Sequence, residues 1–256
     1  MPDPDVAALT ARLRAAGCVF AEDEAALLIA AASSAADLES LVDQRVSGRP
    51  LEQILGWAEF CGLRIFVEPG VFVPRRRTEF LVDQAVALAG PHPVVVDLCC
   101  GSGAVGAAMI DRLHDVELWA GDIDPAAVRC ARRNLPDREV GEGDLYGALP
   151  AALASRIDLL LVNAPYVPTD AIRLMPPEAR DYEPPIALDG GPDGMDIHRR
   201  VAAEAAAWLK PGGHLLIETS ERQARHVAAI FTASGLHARV TRSEDLDATV
   251  AIGRRL

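Results

Sequence analysis

Aromatic residues are scarce in this chain, at 5% of its 256 residues, and cations are outnumbered, with 25 Lys plus Arg against 37 Asp plus Glu. The formal net charge of −12 speaks against a surface that binds nucleic acid non-specifically, because such binding rests on cations neutralising phosphates. No apolar run reaches membrane-spanning length; "AALLIAAASSAA" is short and rich in Ala and Ser. A basic-then-apolar leader is also lacking, since the opening "MPDPDVAALTARLRAAG" is amphipathic and acidic. The five cysteines (Cys18, Cys61, Cys99, Cys100 and Cys130) are odd in number and scattered, so they suggest neither a disulfide framework nor a metal-ligand spacing. The six histidines form no HxxxH or His-carboxylate cluster, and no metal is expected. The expected setting is the cytoplasm, with no membrane contact. Arg75, Arg76 and Arg77 make one local basic cluster, read as a solvated loop.

What the chain does have is apolar residues, half of the total, enough for a substantial core. The first fifty residues show helical spacing: Val6, Leu9 and Leu13 on one face, Leu27, Leu28 and Ala31 on a second, Leu38, Leu41, Val42 and Val46 on a third. Gly17 and Gly48 are the expected helix stops. "WAEF" and "LRIFVEP" bracket Cys61-Gly62 and predict a hairpin. "RTEFLVDQAVALA" returns to helical spacing. Strand–helix alternation follows: strands at 94–98, "VELWAGD", a short one before "EGDL", "IDLLLVN" and "HLLIETS", with helices near 103–113, 125–134, 196–209 and 221–234. Such alternation predicts a parallel sheet covered on both faces, a Rossmann-like α/β fold. The short acidic link between "HARVTRS" and "ATVAIGRR" requires the last two strands to be antiparallel. The expected division is a helical unit at 1–52, a hairpin linker at 53–74 and an α/β domain at 75–256. Residues 167–195 show no periodicity and read as a lip over the substrate pocket, the alternative being a structural excursion that ends in a helix cap at Asp196.

In open α/β sheets, ligands bind at the carboxyl ends of the strands. Here the first of the alternating strands runs into "DLCCGSGAVG", where Gly101, Gly103 and Gly106 match G-x-G-x-x-G and Asp122 follows about twenty residues on. That spacing alone fits a nicotinamide or flavin site. Asp97 discriminates, because a pyrophosphate gains nothing from a carboxylate, whereas S-adenosylmethionine carries an ammonium and a sulfonium. Asp97 and the turn Cys99-Cys100-Gly101-Ser102-Gly103 are therefore expected to hold the methionine portion, Asp122 the ribose hydroxyls, and Asp144 with Leu145 the adenine. Helix capping and turn formation remain the alternative for Asp122 and Asp144 individually. The fold class expected is a class I S-adenosylmethionine-dependent methyltransferase with a small helical N-terminal domain.

"PLEQILGWAEFCGLRIFVEPGVFVPRRRTE", "VVDLCCGSGAVG", "VNAPY" and "ALDGGPDGMDIHRRV…LKPGGHLLIE", in that order, resemble the protein-(glutamine-N5) methyltransferases that modify peptide chain release factors (the PrmC/HemK group). The resemblance runs from about Pro50 to the end. It implies a substrate-recognition role for residues 1–52 and methyl transfer to a glutamine amide, with a release factor as the expected protein partner. The family's Asn-Pro-Pro-Tyr stands here as Asn163-Ala164-Pro165-Tyr166, its usual first glycine of the turn as Cys99, its R-P-x-T-E as Arg75 to Glu79, and its E-I-G as Glu218-Thr219-Ser220. An amide nitrogen is a poor nucleophile and must be held in line by acceptors for both of its hydrogens. The Asn163 side-chain oxygen and the backbone carbonyl of Ala164 can provide them, with Pro165 fixing the turn and Tyr166 packing on the amide plane. Thr78 and Glu79 open a helix beside that pocket, where a capping role fits equally well.

Three other readings stay open. The same clamp suits the exocyclic amino group of adenine, and so a DNA or RNA methyltransferase, against which the net charge counts. Ala164 and Cys99 would also be the marks of a protein that binds S-adenosylmethionine without turnover. A nicotinamide oxidoreductase is the most distant.

Overall fold

The computed structural model describes residues 5–256. Residues 1–4, the start of the expected helical unit, lie outside the described residues. Four helices come first: α1 (Val6–Ala15), α2 (Ala21–Ala31), α3 (Ala35–Val46) and the short α4 (Leu51–Leu55). Asp5 caps α1 by accepting from the Ala8 amide at 3.0 Å, and Ser34 caps α3 through the Asp37 amide at 3.1 Å. Gly17 and Gly48 follow α1 and α3 in the left-handed region, φ 96° and 95°, as helix stops require. Leu9, Leu13, Leu28, Leu38 and Val42 share one small core. Val6 and Val46, expected on its faces, are exposed instead, because each sits at a helix end beyond the crossing.

The hairpin forms as predicted, β1 (Trp57–Phe60) against β2 (Leu63–Phe66). Cys61 and Gly62 both take positive φ, 52° and 79°, which a two-residue turn between twisted strands demands. Phe60 and Ile65 pack into the main core rather than into a separate unit.

The main sheet contains β3 (Val94–Leu98), β4 (Glu117–Asp122), β5 (Glu139–Glu142), β6 (Ile157–Val162), β7 (Leu209–Thr219), β8 (Leu236–Ser243) and β9 (Ala248–Arg255). Their order is β5-β4-β3-β6-β7-β9-β8; β9 runs antiparallel to both neighbours and the other pairs are parallel. The order reverses between β3 and β6, which is where this topology opens a crevice. Alternation within the central strands feeds two cores. Val95, Leu159, Leu161 and Leu216 face α5 (Glu79–Leu88) and α6 (Ala104–Arg112). Val96, Leu160, Val162 and Ile217 face α9 (Asp196–Trp208) and α10 (Ala224–Ala233). The remaining long helix, α7, covers Pro125–Asn134. Asp97 pairs with Leu161 and Leu98 with Val162, so the residues that follow, Cys99 and Asn163, emerge side by side.

The segment at 167–195 is not structureless. It holds 3-10 turns at Thr169–Leu174 and Pro185–Ala187, α8 (Pro177–Tyr182) and a bridge between Val167 and Asp189. Prolines at 168, 176, 177, 184 and 185 start turns too short to leave any periodicity. Helix α9 is preceded by Met195, and Asp196 is its first residue rather than its cap. No helix among the described residues is long and apolar enough to cross a membrane.

Candidate active site

A cavity of about 530 Å³ opens at the carboxyl ends of β3, β4 and β6, with the 167–195 segment over it through Met175, Ile186 and Leu188. All the sequence-predicted site residues line it, apart from Gly103, which stands behind it at the start of α6.

On one wall, Asp97 is 2% exposed and its Oδ2 accepts from the Gly106 amide at 2.9 Å. Burial pushes this carboxyl up to about 8, and the backbone bond and nearby Asp122 modify that only in part. Cys99, Gly101 and Gly103 all take left-handed backbone, φ 59°, 54° and 78°. The positive φ at Cys99 explains why glycine suits that position. A side chain at Gly101 would project into open space, whereas one at Gly103 would meet Leu135 and Ala131 at 3.1–3.2 Å. Gly101 thus keeps the cavity clear and Gly103 lets α6 pack on α7. Cys100 donates its amide to the Gly121 carbonyl at 3.1 Å, and the Ser102 carbonyl accepts from Asn134 Nδ2 at 2.8 Å. The turn is therefore braced from both sides.

Asp122 Oδ2 accepts from the Gly101 amide at 2.8 Å and Oδ1 from the Asp124 amide at 2.9 Å. Asp124, not Asp122, caps α7. Asp144 pairs through Oδ2 with Arg200 Nη2 at 2.6 Å, and Leu145 turns inward at φ 48°, 8% exposed. No local pattern in the sequence marks Arg200, because its partner lies 56 residues away.

On the other wall, Asn163 Nδ2 donates to Thr78 Oγ1 at 3.2 Å. Thr78 precedes α5 but makes no side-chain cap bond; its hydroxyl serves Asn163 instead. Glu79 accepts from the Cys61 amide at 3.1 Å, a structural bond. Ala164 is buried, and Gln223 Nε2 holds the Tyr166 carbonyl at 3.0 Å. The Tyr166 hydroxyl donates to Glu218 Oε1 at 3.3 Å, and burial with Glu218 nearby pushes its pKa up to about 12. Glu218 is 2% exposed; burial raises its carboxyl, while Thr78 and Arg77 oppose that rise. The three arginines differ: Arg75 is half-buried, whereas Arg77 is exposed at the edge of the cavity. Arg77 Nε stands 3.6 Å from Glu218, and Arg75 pairs with buried Glu183 at 2.6 Å. Only Arg76 faces solvent without lining the cavity. Glu218 has no role expected from the sequence, although a lone acid closing the apolar run "LLIETS" carries the same signal as Asp97.

A family profile for the methyltransferase small domain matches residues 62–175. The release factor glutamine methyltransferase of Geobacter sulfurreducens is 38% identical over 76% of this chain and 69% of its own length. The chain belongs to the release factor glutamine methyltransferase family. Another relative at this level carries a different name. The 4-amino-L-phenylalanine/4-methylamino-L-phenylalanine methyltransferase of Streptomyces pristinaespiralis is 35% identical over 76% of this chain and 69% of that one. A methyltransferase from Pyrococcus furiosus, 15% identical, shares the fold over 83% of this chain and 96% of its own with a TM-score of 0.58. The architecture is that of a class I methyltransferase, and the cofactor of this family member is S-adenosylmethionine. The cavity suits that cofactor on its own evidence. A buried carboxyl with a single hydrogen bond calls for a cation, and Gly101 leaves the space beside it clear.

Proposed function

We propose that this chain moves a methyl group from S-adenosylmethionine to the side-chain amide nitrogen of a glutamine in a cytoplasmic protein, a peptide chain release factor being the expected acceptor. The observation that carries the reading is the Asn163–Thr78 hydrogen bond. With Nδ2 held by Thr78, the amide of Asn163 offers Oδ1 to an incoming NH₂ group.

Asp97 would hold the positive end of the cofactor, the Cys99–Gly103 turn its methionine chain, Asp122 its ribose, and Asp144 with Leu145 its adenine. Asp122 has both oxygens on backbone amides, so only its remaining lone pairs serve the ribose. When bound, the cofactor supplies an electrophilic methyl carbon. The chain's own residues orient the acceptor: Asn163 Oδ1 takes one amide hydrogen, the Ala164 carbonyl the other, Pro165 fixes the bend, and Tyr166 covers the amide plane and excludes water. The nitrogen gains a methyl group and releases one proton to solvent, so no strong base is required.

Residues 1–52 would recognise the acceptor, 53–74 link, and 75–256 catalyse. Contacts between the helices and the lip support a shared docking surface. Arg45 Nη1 pairs with Glu178 at 2.6 Å, and the Tyr182 hydroxyl donates to the Ser47 carbonyl at 3.2 Å.

Labelled S-adenosylmethionine offered together with a release factor, DNA, RNA and free 4-aminophenylalanine tests the acceptor class. Label is expected in the release factor. Label confined to nucleic acid would favour the adenine-amino reading, and label confined to the free arylamine would replace the protein acceptor. Tight donor binding with no label in any acceptor would make the chain a binding protein.

A further inference from the structure

The run "DGGPDGMD" (189–196) packs against the back of the bend from Asn163 to Tyr166. Gly190 donates its amide to the Val167 carbonyl at 2.9 Å, and the Val167 amide donates to the Leu188 carbonyl at 3.1 Å. A Cβ on Gly190 would stand 2.8 Å from the Pro165 carbonyl oxygen, and one on Gly194 only 2.3 Å from that of Tyr166. No real side chain keeps such distances, so glycine alone lets the loop come this close. Gln223 pins the contact. It directly precedes α10 and is half-buried, yet its side chain does not cap that helix. Its Nε2 instead donates to the carbonyls of Tyr166 at 3.0 Å, Asp193 at 3.1 Å and Gly194 at 3.4 Å. The Ser220 hydroxyl donates to Oε1 at 2.5 Å, which fixes the end of the amide that faces the bend. Gln223 lines no part of the cavity. Among the described residues, the Tyr166 carbonyl has no donor but Gln223, and no donor reaches the Ala164 carbonyl assigned to the acceptor.

We propose that Gln223 is a positioning residue for methyl transfer: by tying the Tyr166 carbonyl to the 190–194 loop, it fixes the bend that aims the Ala164 carbonyl and the Tyr166 ring at the acceptor nitrogen. This inference rests on the clamp reading of Asn163 to Tyr166. Pro165 locks its own φ and restricts the residue before it, but it leaves the torsions at Tyr166 free. Those torsions are set by whatever holds the Tyr166 carbonyl, and that is Gln223. Without the Gln223 donors this carbonyl loses its partner, and the peptide turns to find another. The turn carries the Tyr166 ring with it and shifts the Ala164 carbonyl one residue back. The glycines of the loop then have a task in the reaction: they bring the Asp193 and Gly194 carbonyls near enough to share one amide with the clamp.

Gln223→Met keeps the length of the side chain and removes its donors. Steady-state transfer is measured on whichever acceptor the wild-type chain methylates, so a wrong guess at the acceptor fails in the wild type and not in this comparison. Calorimetry gives Kd and binding stoichiometry for S-adenosylmethionine. The expected result is a kcat lower by about 10²-fold, the cost of a slightly displaced reacting group, with acceptor KM within about threefold. Donor Kd and stoichiometry should be unchanged. Gly190→Ala, which presses on the Pro165 carbonyl from the loop side, should give the same split between kcat and KM. Hydrogen exchange needs no acceptor: amides at 163–167 should exchange about tenfold faster in Gln223→Met, the worth of one hydrogen bond, and those at 97–103 at the wild-type rate. A Gln223→Met kcat within about twofold of wild type would overturn the proposal. So would unchanged exchange at 163–167. A rate that falls only in step with donor-binding stoichiometry would also overturn it, because that is the mark of lost folding and not of a misaimed clamp.

Discussion

The donor wall of the cavity and the acceptor wall are held by different means. Between Asp97 and Asp122, backbone amides of Gly106, Gly101 and Asp124 fix the carboxylates, and three left-handed residues shape the turn. Around Asn163, side chains fix one another: Thr78 holds Asn163, Glu218 holds Tyr166, and Arg77 faces Glu218. A wall set by backbone tolerates changes of side chain that leave the chain's path alone. A wall set by a side-chain network passes the loss of one member on to the others.

Substitutions separate the two walls. Asn163→Ala is expected to reduce transfer by about 10²-fold, as removal of one preorganised hydrogen-bonding group does, while calorimetry finds donor affinity little changed. Asp97→Asn should do the reverse, weakening donor binding by about 10- to 100-fold, because truncating one partner of a buried charge pair costs several kcal/mol. The same residue gives a pH signature. Its folded pKa is about 8 against an ordinary value of 3.8, so the ligand-free folded chain keeps a proton that the unfolded chain has released. Stability of the free protein therefore falls as pH rises between those values, by up to about 1.4 kcal/mol per pH unit. Donor binding, which needs the anion, tightens over the same window. Denaturant melts of the Asp97→Asn variant should lose that slope.

Arg75→Ala leaves the buried Glu183 carboxyl with only the Val73 amide, at 3.1 Å. Chemical denaturation should show a loss of about 2 kcal/mol, less than the roughly 3–5 kcal/mol of a fully buried pair because Arg75 is partly exposed. The smallest effect is expected of Cys99→Gly. Relief of its left-handed backbone is worth at most about 1 kcal/mol, partly offset by the greater freedom of glycine in the unfolded chain. Donor affinity should be unaffected. A large change in donor binding there would break the view that backbone sets this wall.

The same contrast explains what the sequence made legible. The strands from Val94 onward, the hairpin turn at Cys61-Gly62 and the donor-wall acids were readable, because each signal is local: a run of β-branched residues, a two-residue turn, an acid closing a strand. The acceptor wall was readable only at Asn163 to Tyr166. Thr78 stands 85 residues from Asn163, and Glu218 52 residues from Tyr166, so their pairing arises only when β6 and β7 come together beside α5. Arg75 and Arg77 looked like a solvated charge run because their partners, Glu183 and Glu218, are more than a hundred residues away. Val6 and Val46 fit the helical spacing yet face water, since spacing gives a face and not the length of the contact.

The destination of the methyl group tests the amide clamp most directly. Purified release factor, labelled S-adenosylmethionine and this chain should yield label on the glutamine of the Gly-Gly-Gln loop, located by mass spectrometry, and none when Asn163→Ala replaces the wild type. Label on a different residue, or label that persists in the Asn163→Ala variant at the wild-type rate, would contradict the amide clamp.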